Sequence, residues 1–227
     1  MKTGTKSVLY GAHCFFIHPV FVAIAWIKLY GFPWDPRLWV AFFVHDLGYW
    51  GKPNMDGEEG ETHPELGAIL MHKWFDKKGR WENIGRYQTM YTAGSTDWYN
   101  FCYYHSRFLA KRDGRPYSKL CVADKLAVAL EPAWLYLPRV KWTGEIHEYR
   151  ELSSRREGEG ENISKFQSML LNDECEAAWL KGMKSYLSAW AYEHRDGKKD
   201  TWTPDKRRQS PLKEFTNNSL RKTNLFK

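Results

Sequence analysis

Apolar residues recur three and four positions apart along much of this chain, which places them on one side of a helix. Phe166, Met169, Leu170, Ala177, Leu180, Met183 and Leu187 form such a series within 163–195, readable as one long helix or two short ones. No stretch alternates long enough to predict a strand, and no internal repeat occurs. Start and stop signals divide the pattern. Asp35-Pro36 supplies an N-cap and a proline at the first helical position, opening RLWVAFFVHDLGYW, and Gly51, Pro53 and Gly57 break it. Thr62-His63-Pro64-Glu65 has the form of a capping box and predicts a helix over HPELGAILMHKWF, ended by Gly79. A helical segment is expected around Trp81 to Tyr91. Another starts near Thr96 or Asp97 and runs through WYNFCYYHSRFLAKR to Asp113-Gly114. Ser118 caps KLCVADKLAVAL, which Pro132 closes, and Thr143 offers helix-start chemistry before IHEYREL. The expectation is an all-α, single-domain helical bundle over residues 1–196 with a polar, basic C-terminal extension over 197–227.

The totals refine this picture. A chain of 227 residues, 43% hydrophobic and 16% aromatic, can bury one substantial core. Its net charge of +7 suggests nucleic acid until the charges are located. Residues 197–227 hold nine Lys or Arg against three acids, which leaves the preceding residues at +1. Nucleic acid is therefore a partner only through the basic tail, itself more simply read as a solvated terminus. Cys14, Cys102, Cys121 and Cys175 show no metal-knot or disulfide spacing, so all four are expected as reduced core residues.

The N-terminus imitates a signal peptide, with Lys2 and Lys6 before VLYGAHCFFIHPVFVAIAW. His13, His18 and Pro19 inside that run argue against both a leader and a membrane span, because polar groups are costly in lipid. One buried amphipathic helix is expected there, in a cytoplasmic protein without membrane contact. A homo-oligomer is compatible with the sequence.

The chemistry begins at FFVHDLGYW. Adjacent residues on a helix point about 100° apart, so His45 and Asp46 cannot both be solvent-facing when Phe42, Phe43, Val44 and Leu47 must be buried. A buried carboxylate costs several kcal/mol unless it is paired or bound to a cation, and a neighbouring imidazole can share that cation. A buried His–Asp hydrogen bond without metal is the plainer alternative. Asp124 in KLCVADKLAVAL poses the same problem on another apolar helix. His18 stands in HPVFVAIAW, His63 in the capping box and His105 in YYHSRF. Five apolar segments thus each carry an internal group able to bind metal.

The order His, His-Asp and distant Asp resembles the HD-domain metal-dependent phosphohydrolases. The likeness spans roughly His13 to Leu137. VHDLGYWGK resembles the family's HD-x-G helix end, HPELGAIL its HP-x-x-G-A-x-x-L segment, and CVADKLAVAL its A-D-K-L helix. By this resemblance His18, His45, Asp46 and Asp124 would hold a first metal, with His13 an alternative to His18. His63 and His105 would help hold a second, with Asp46 bridging; Asp46, His63 and His105 would carry catalysis. The chain departs from the binuclear relatives at His105-Ser106, where they have paired histidines, and GRPY only approximates their G-Y-P. Such mixed imidazole and carboxylate ligands suit one or two ions of Mn²⁺, Fe²⁺, Co²⁺, Ni²⁺ or Zn²⁺, with Mg²⁺ open at a partner position. A metal-activated water would attack a nucleotide phosphate ester or anhydride. A cyclic-nucleotide or cyclic-dinucleotide phosphodiesterase and a non-catalytic, metal-stapled nucleotide-binding module are the alternatives.

Arg107 and Lys111, one turn apart, are the first candidates to meet the substrate's phosphate; Lys52, Lys119 and Lys125 follow. Each also reads as an ordinary solvated charge. Glu58 and Glu65 could relay protons, although the acidic run from Asp56 to Glu61 reads more simply as an exposed turn. Tyr49, Trp50, Tyr103, Tyr104 and Trp134 could stack on a base, in a chain where most aromatics must be core.

Overall fold

The computed structural model describes residues 1–55, 59–85, 88–150 and 175–197. The tail from 198 onward and residues 151–174, which include the start of the last helix expected over 163–195, lie outside them.

Helices α1 (Thr3–Tyr10) and α2 (His18–Tyr30) replace the single N-terminal helix expected. Gly11 ends α1, and Pro19 in the first turn of α2 fixes a new start where no N–H is needed. Asp35 caps α3 (Pro36–Val44) as expected, its carboxylate accepting from Arg37 N. Such a cap contributes about 1 kcal/mol. A 3₁₀ turn over Leu47–Tyr49 follows. Helix α4 (Pro64–Phe75) forms without its capping box: Thr62 Oγ1 instead donates to Glu59 O and accepts from Lys52 Nζ. Asp76, rather than Gly79, terminates the helix.

The segment expected to be helical around Trp81 to Tyr91 is an antiparallel hairpin. Strands β1 (Arg80–Gly85) and β2 (Gln88–Thr92) pair Arg80 with Thr92 and Asn83 with Thr89. Aromatic and β-branched residues in RWENIG and QTMYT favour the extended chain, and Gly85 is a poor helix former.

The next helix is broken in two, α5 (Asp97–Tyr103) and α6 (Arg107–Asp113), because Ser106 turns out to be the N-cap of the second, accepting from Leu109 N. Ser118 caps α7 (Lys119–Leu130) as predicted. The Pro- and Trp-rich stretch that follows is α8 (Ala133–Thr143), so Thr143 closes a helix instead of opening one. Helical chain, here α9, resumes over 145–150. The last described helix, α10, is Glu176–His194.

Helix α7 is the axis of the fold, packed against α2 on one side and α10 on another, while α4 packs against α5. Seven of its residues are buried, Asp124 among them. The main core joins Trp26, Phe42, Met71, Leu109, Leu126 and Trp190, and a second cluster joins Tyr136, Val140 and Ile146 to Trp179 and Leu180. Each such side chain contributes about 1.5–3 kcal/mol on burial. Cys14, Cys102 and Cys121 are buried free thiols, as expected, but Cys175 is exposed and caps α10. No helix among the described residues is long and apolar enough to cross a membrane.

Candidate metal centre

The six polar intruders that the sequence places in five apolar segments come together. His18 opens α2, His45 and Asp46 follow α3, His63 precedes α4, His105 lies between α5 and α6, and Asp124 sits within α7. All six are at least nine-tenths buried. Helical geometry required only one of His45 and Asp46 to face inward. Both do, because α3 ends at Val44 and Asp46 leaves helical geometry with φ −99° and ψ 1°. Two glycines let the neighbouring segments close on this turn. A Cβ at Gly48 would lie 1.9 Å from His63 O, and one at Gly67 would lie 2.6 Å from Val44 O.

Asp46 divides the donors into two groups that share it. Its Oδ2 is 3.0 Å from His45 Nε2 and 3.4 Å from His18 Nε2, which is itself 2.9 Å from Asp124 Oδ1. Its Oδ1 is 3.3 Å from His105 Nε2 and 3.5 Å from His63 Nε2. Donors bound to one ion through bonds of about 2.1 Å stand roughly 3–3.5 Å apart, so both groups have suitable spacing.

Donor and acceptor assignments support a cation. His45, His63 and His105 each point Nδ1 at the carbonyl three residues earlier, Phe42 O at 3.0 Å, Gly60 O at 2.8 Å and Cys102 O at 2.5 Å. A carbonyl only accepts, so Nδ1 carries the proton and Nε2 of the neutral ring presents a lone pair. The Nε2 atoms of His63 and His105 then face each other at 3.0 Å, lone pair to lone pair. His18 Nδ1, His45 Nε2 and Asp46 Oδ2 are buried without a hydrogen-bond partner. Buried lone pairs aimed at one another are costly unless a cation or proton lies between them. The imidazole and carboxylate donor set therefore fits a divalent transition metal.

Titration directions agree with this. Burial alone would lift the Asp46 carboxyl, but the neighbouring imidazoles of His45, His13 and His105 hold it well below the usual carboxylate range. Burial would likewise lift Asp124, which Lys125 and the neighbouring imidazoles of His18 and His45 hold well below its ordinary value. Burial would lower His45, yet Asp46 and Asp124 raise it to about 10, so in the metal-free protein this imidazole meets the carboxylates' demand for positive charge. Burial and the neighbouring His105 depress His63 well below its ordinary value.

His13, the alternative first ligand, is outside both donor groups. Ser7 Oγ donates to Glu145 Oε2 at 2.9 Å and so can only accept from His13 Nδ1, also at 2.9 Å. The His13 lone pair is consequently on Nε2. Burial lowers this imidazole to about 4, so it is neutral near pH 7, with its ring 5.6 Å from that of His18. Glu145 also accepts from Ala12 N, Thr143 Oγ1 and Tyr149 OH. The sequence reading missed Ser7 and Glu145. Their one signal was a glutamate directly after Gly144 in an otherwise aromatic stretch.

The phosphate candidates separate. Lys119 lies over the Tyr30 ring at 5.1 Å, and Lys52 donates to Thr62, so both ammonium groups have partners of their own. Arg107 lies over Trp190 at 4.8 Å and donates to Tyr186 OH. Lys111, one turn further along α6, is half-buried. Lys125, ranked last from sequence, is joined to the centre through Nζ, 2.9 Å from Asp124 Oδ2. Tyr49 stacks on His63 at 3.9 Å and 10°, and Tyr103 stacks on Tyr99. Trp50, Trp134 and Glu65 are exposed, and Glu58 lies outside the described residues.

No family model matches the chain, and neither a curated protein nor a solved structure does.

Proposed function

We propose that the chain is a metal-dependent phosphohydrolase of the HD-domain type, acting on a nucleotide phosphate ester or anhydride. The observation that carries this reading is the sharing of Asp46, one carboxylate oxygen toward each donor group. His18, His45, Asp46 and Asp124 would hold one ion; Asp46, His63 and His105 would hold another. A divalent cation supplies Lewis acidity there, lowering the pKa of water and neutralising charge on phosphoryl oxygens. The chain's own residues do the rest. Backbone carbonyls orient three imidazoles, Lys125 offers positive charge beside Asp124, and His13 offers a neutral acceptor nitrogen held by Ser7 and Glu145.

The test is elemental analysis of purified protein together with a phosphate-release screen over nucleotides and cyclic nucleotides, repeated on Asp46→Ala and Asp124→Ala. The expected result is bound transition metal and turnover in the wild type, both lost in the variants. Equal metal load and equal turnover in Asp46→Ala would sink the assignment.

One observation favours a second reading, a module in which metal only staples the fold. The cleft lined by His13, Phe15, Phe43 and Asp46 has a volume of about 10 Å³, room for about one water. That reading predicts tight metal retention with no turnover on any phosphate ester.

A further inference from the structure

Between His18 and Lys28, helix α2 carries no polar residue at all. Val20, Ile24 and Ile27 share its outer side at helical spacing and are 50%, 39% and 42% exposed. A helix that is apolar all round is ordinarily buried all round, so this side needs a cover. Helix α3 packs beside α2 and adds Trp39 and Phe43, one turn apart and each 36% exposed. Ring contacts join the helices at both ends. Phe15 meets Phe43 at 5.4 Å near the start of α2, and beyond its end Phe32 meets Trp39 at 6.2 Å and Trp34 at 4.6 Å. Trp34 is 85% exposed and Phe16, which touches Phe15, is 75% exposed. Exposed apolar side chains thus run along both packed helices and past both ends of α2.

With about 150–250 Å² for a whole aromatic side chain, the bare parts of this face come to on the order of 800 Å². That exceeds the largest apolar patch of a typical monomer, about 300–600 Å². It matches the share of one partner in a standard interface, about 800 Å².

We propose that this α2–α3 face is the contact surface for a second copy of the chain, forming a two-fold dimer. A two-fold contact sets the same patch against itself, so one apolar face covers the other and neither stays bare. Charge selects a protein partner over an anionic membrane. Helices α2 and α3 themselves carry one cation each, Lys28 and Arg37, and Arg37 is bound to Asp35 at 2.7 Å and lies over Trp98. Helices that lie on anionic lipid carry several Lys or Arg along their polar side. Phe15 and Phe43 also line the cleft that reaches Asp46, so the dimer contact borders the metal centre.

Sedimentation velocity on the full chain across the micromolar range tests this, with Ile24→Glu and Ile27→Lys as variants and Ile69→Glu, on the exposed side of α4, as control. These sites are solvent-facing in the single chain, so circular dichroism should show wild-type folding. The expected result is a wild-type dimer, association weakened about 100-fold or more in favour of monomer by each α2 charge, and no change from Ile69→Glu. A wild type that stays monomeric overturns the proposal. If that monomer co-sediments with vesicles of phosphatidylcholine and phosphatidylserine, the face belongs to a membrane instead. A dimer that survives both α2 charges overturns it equally.

Discussion

Two buried polar clusters meet at His13, and they are built on opposite terms. Around Glu145 every oxygen has a donor: Ser7 Oγ, Ala12 N, Thr143 Oγ1 and Tyr149 OH all point at one carboxylate. Around Asp46 the Nε2 atoms of His63 and His105 meet lone pair to lone pair, a second carboxylate lies close by, and three buried atoms lack any hydrogen-bond partner. Burial and acidity are common to both clusters. Only the match of donors to acceptors distinguishes a cluster that closes a loop from one that could hold a cation.

The comparison is broken most directly at Asp46. Asp46→Ala removes the carboxylate that the two donor groups share, so both should lose metal, and the turnover expected under the proposed function should fall at least about 10³-fold. Elemental analysis and single-turnover assays read this out. Next in size is Gly48→Ala, whose new methyl has no room beside His63 O. We expect a loss of about 1–3 kcal/mol in denaturant unfolding and a reduced metal load, since His63 must move.

Glu145→Gln sharpens the contrast, because the amide nitrogen sets a donor against donors. The expected cost is about 1–3 kcal/mol, with the metal content of the folded protein unchanged. Its pH dependence has a definite sign. Burial raises the Glu145 pKa above its ordinary value, the hydrogen bonds from Thr143 and Ser7 opposing in part. Its contribution is therefore fully present below pH 4.5 and lost as pH rises through the folded pKa, so Glu145→Gln should cost less at pH 8 than at pH 5.

Asp76 gives the smallest effect and the opposite sign. Burial opposes its ionisation, but Trp98 N, Tyr99 N, His72 and Ser95 lower its pKa below 3.8. Its stabilisation is present above that value and lost as pH falls through the folded pKa. Asp76→Asn should therefore cost about 1 kcal/mol at pH 7, and the difference from wild type should vanish in acid, measured by thermal unfolding at several pH values.

Much of the centre was legible because a charge in an apolar helix demands a partner wherever the chain goes. His18, His45, Asp46, His63, His105 and Asp124 were all found on that ground or by resemblance, and they converge. The phosphate candidates were not legible in the same way. Lys119 and Lys125 stand on one helix about 240° apart, so at most one can face the centre, and nothing local to α7 says which. The break between α5 and α6 hid behind continuous helical periodicity. The hairpin was lost because aromatic and β-branched residues suit either state until their neighbours are fixed.

By itself the sequence determined the helix starts at Asp35 and Ser118, the mostly helical class and the set of internal polar groups, all of which depend on residues a few positions apart. The tertiary structure alone decided that the two oxygens of Asp46 face different donors, that Lys125 and not Lys119 reaches Asp124, and that Glu145 ties residues 7 and 12 to the end of α8. Those facts join segments up to 138 residues apart. Such contacts are set by which helices pack together, and a local pattern of apolar spacing carries no record of that choice.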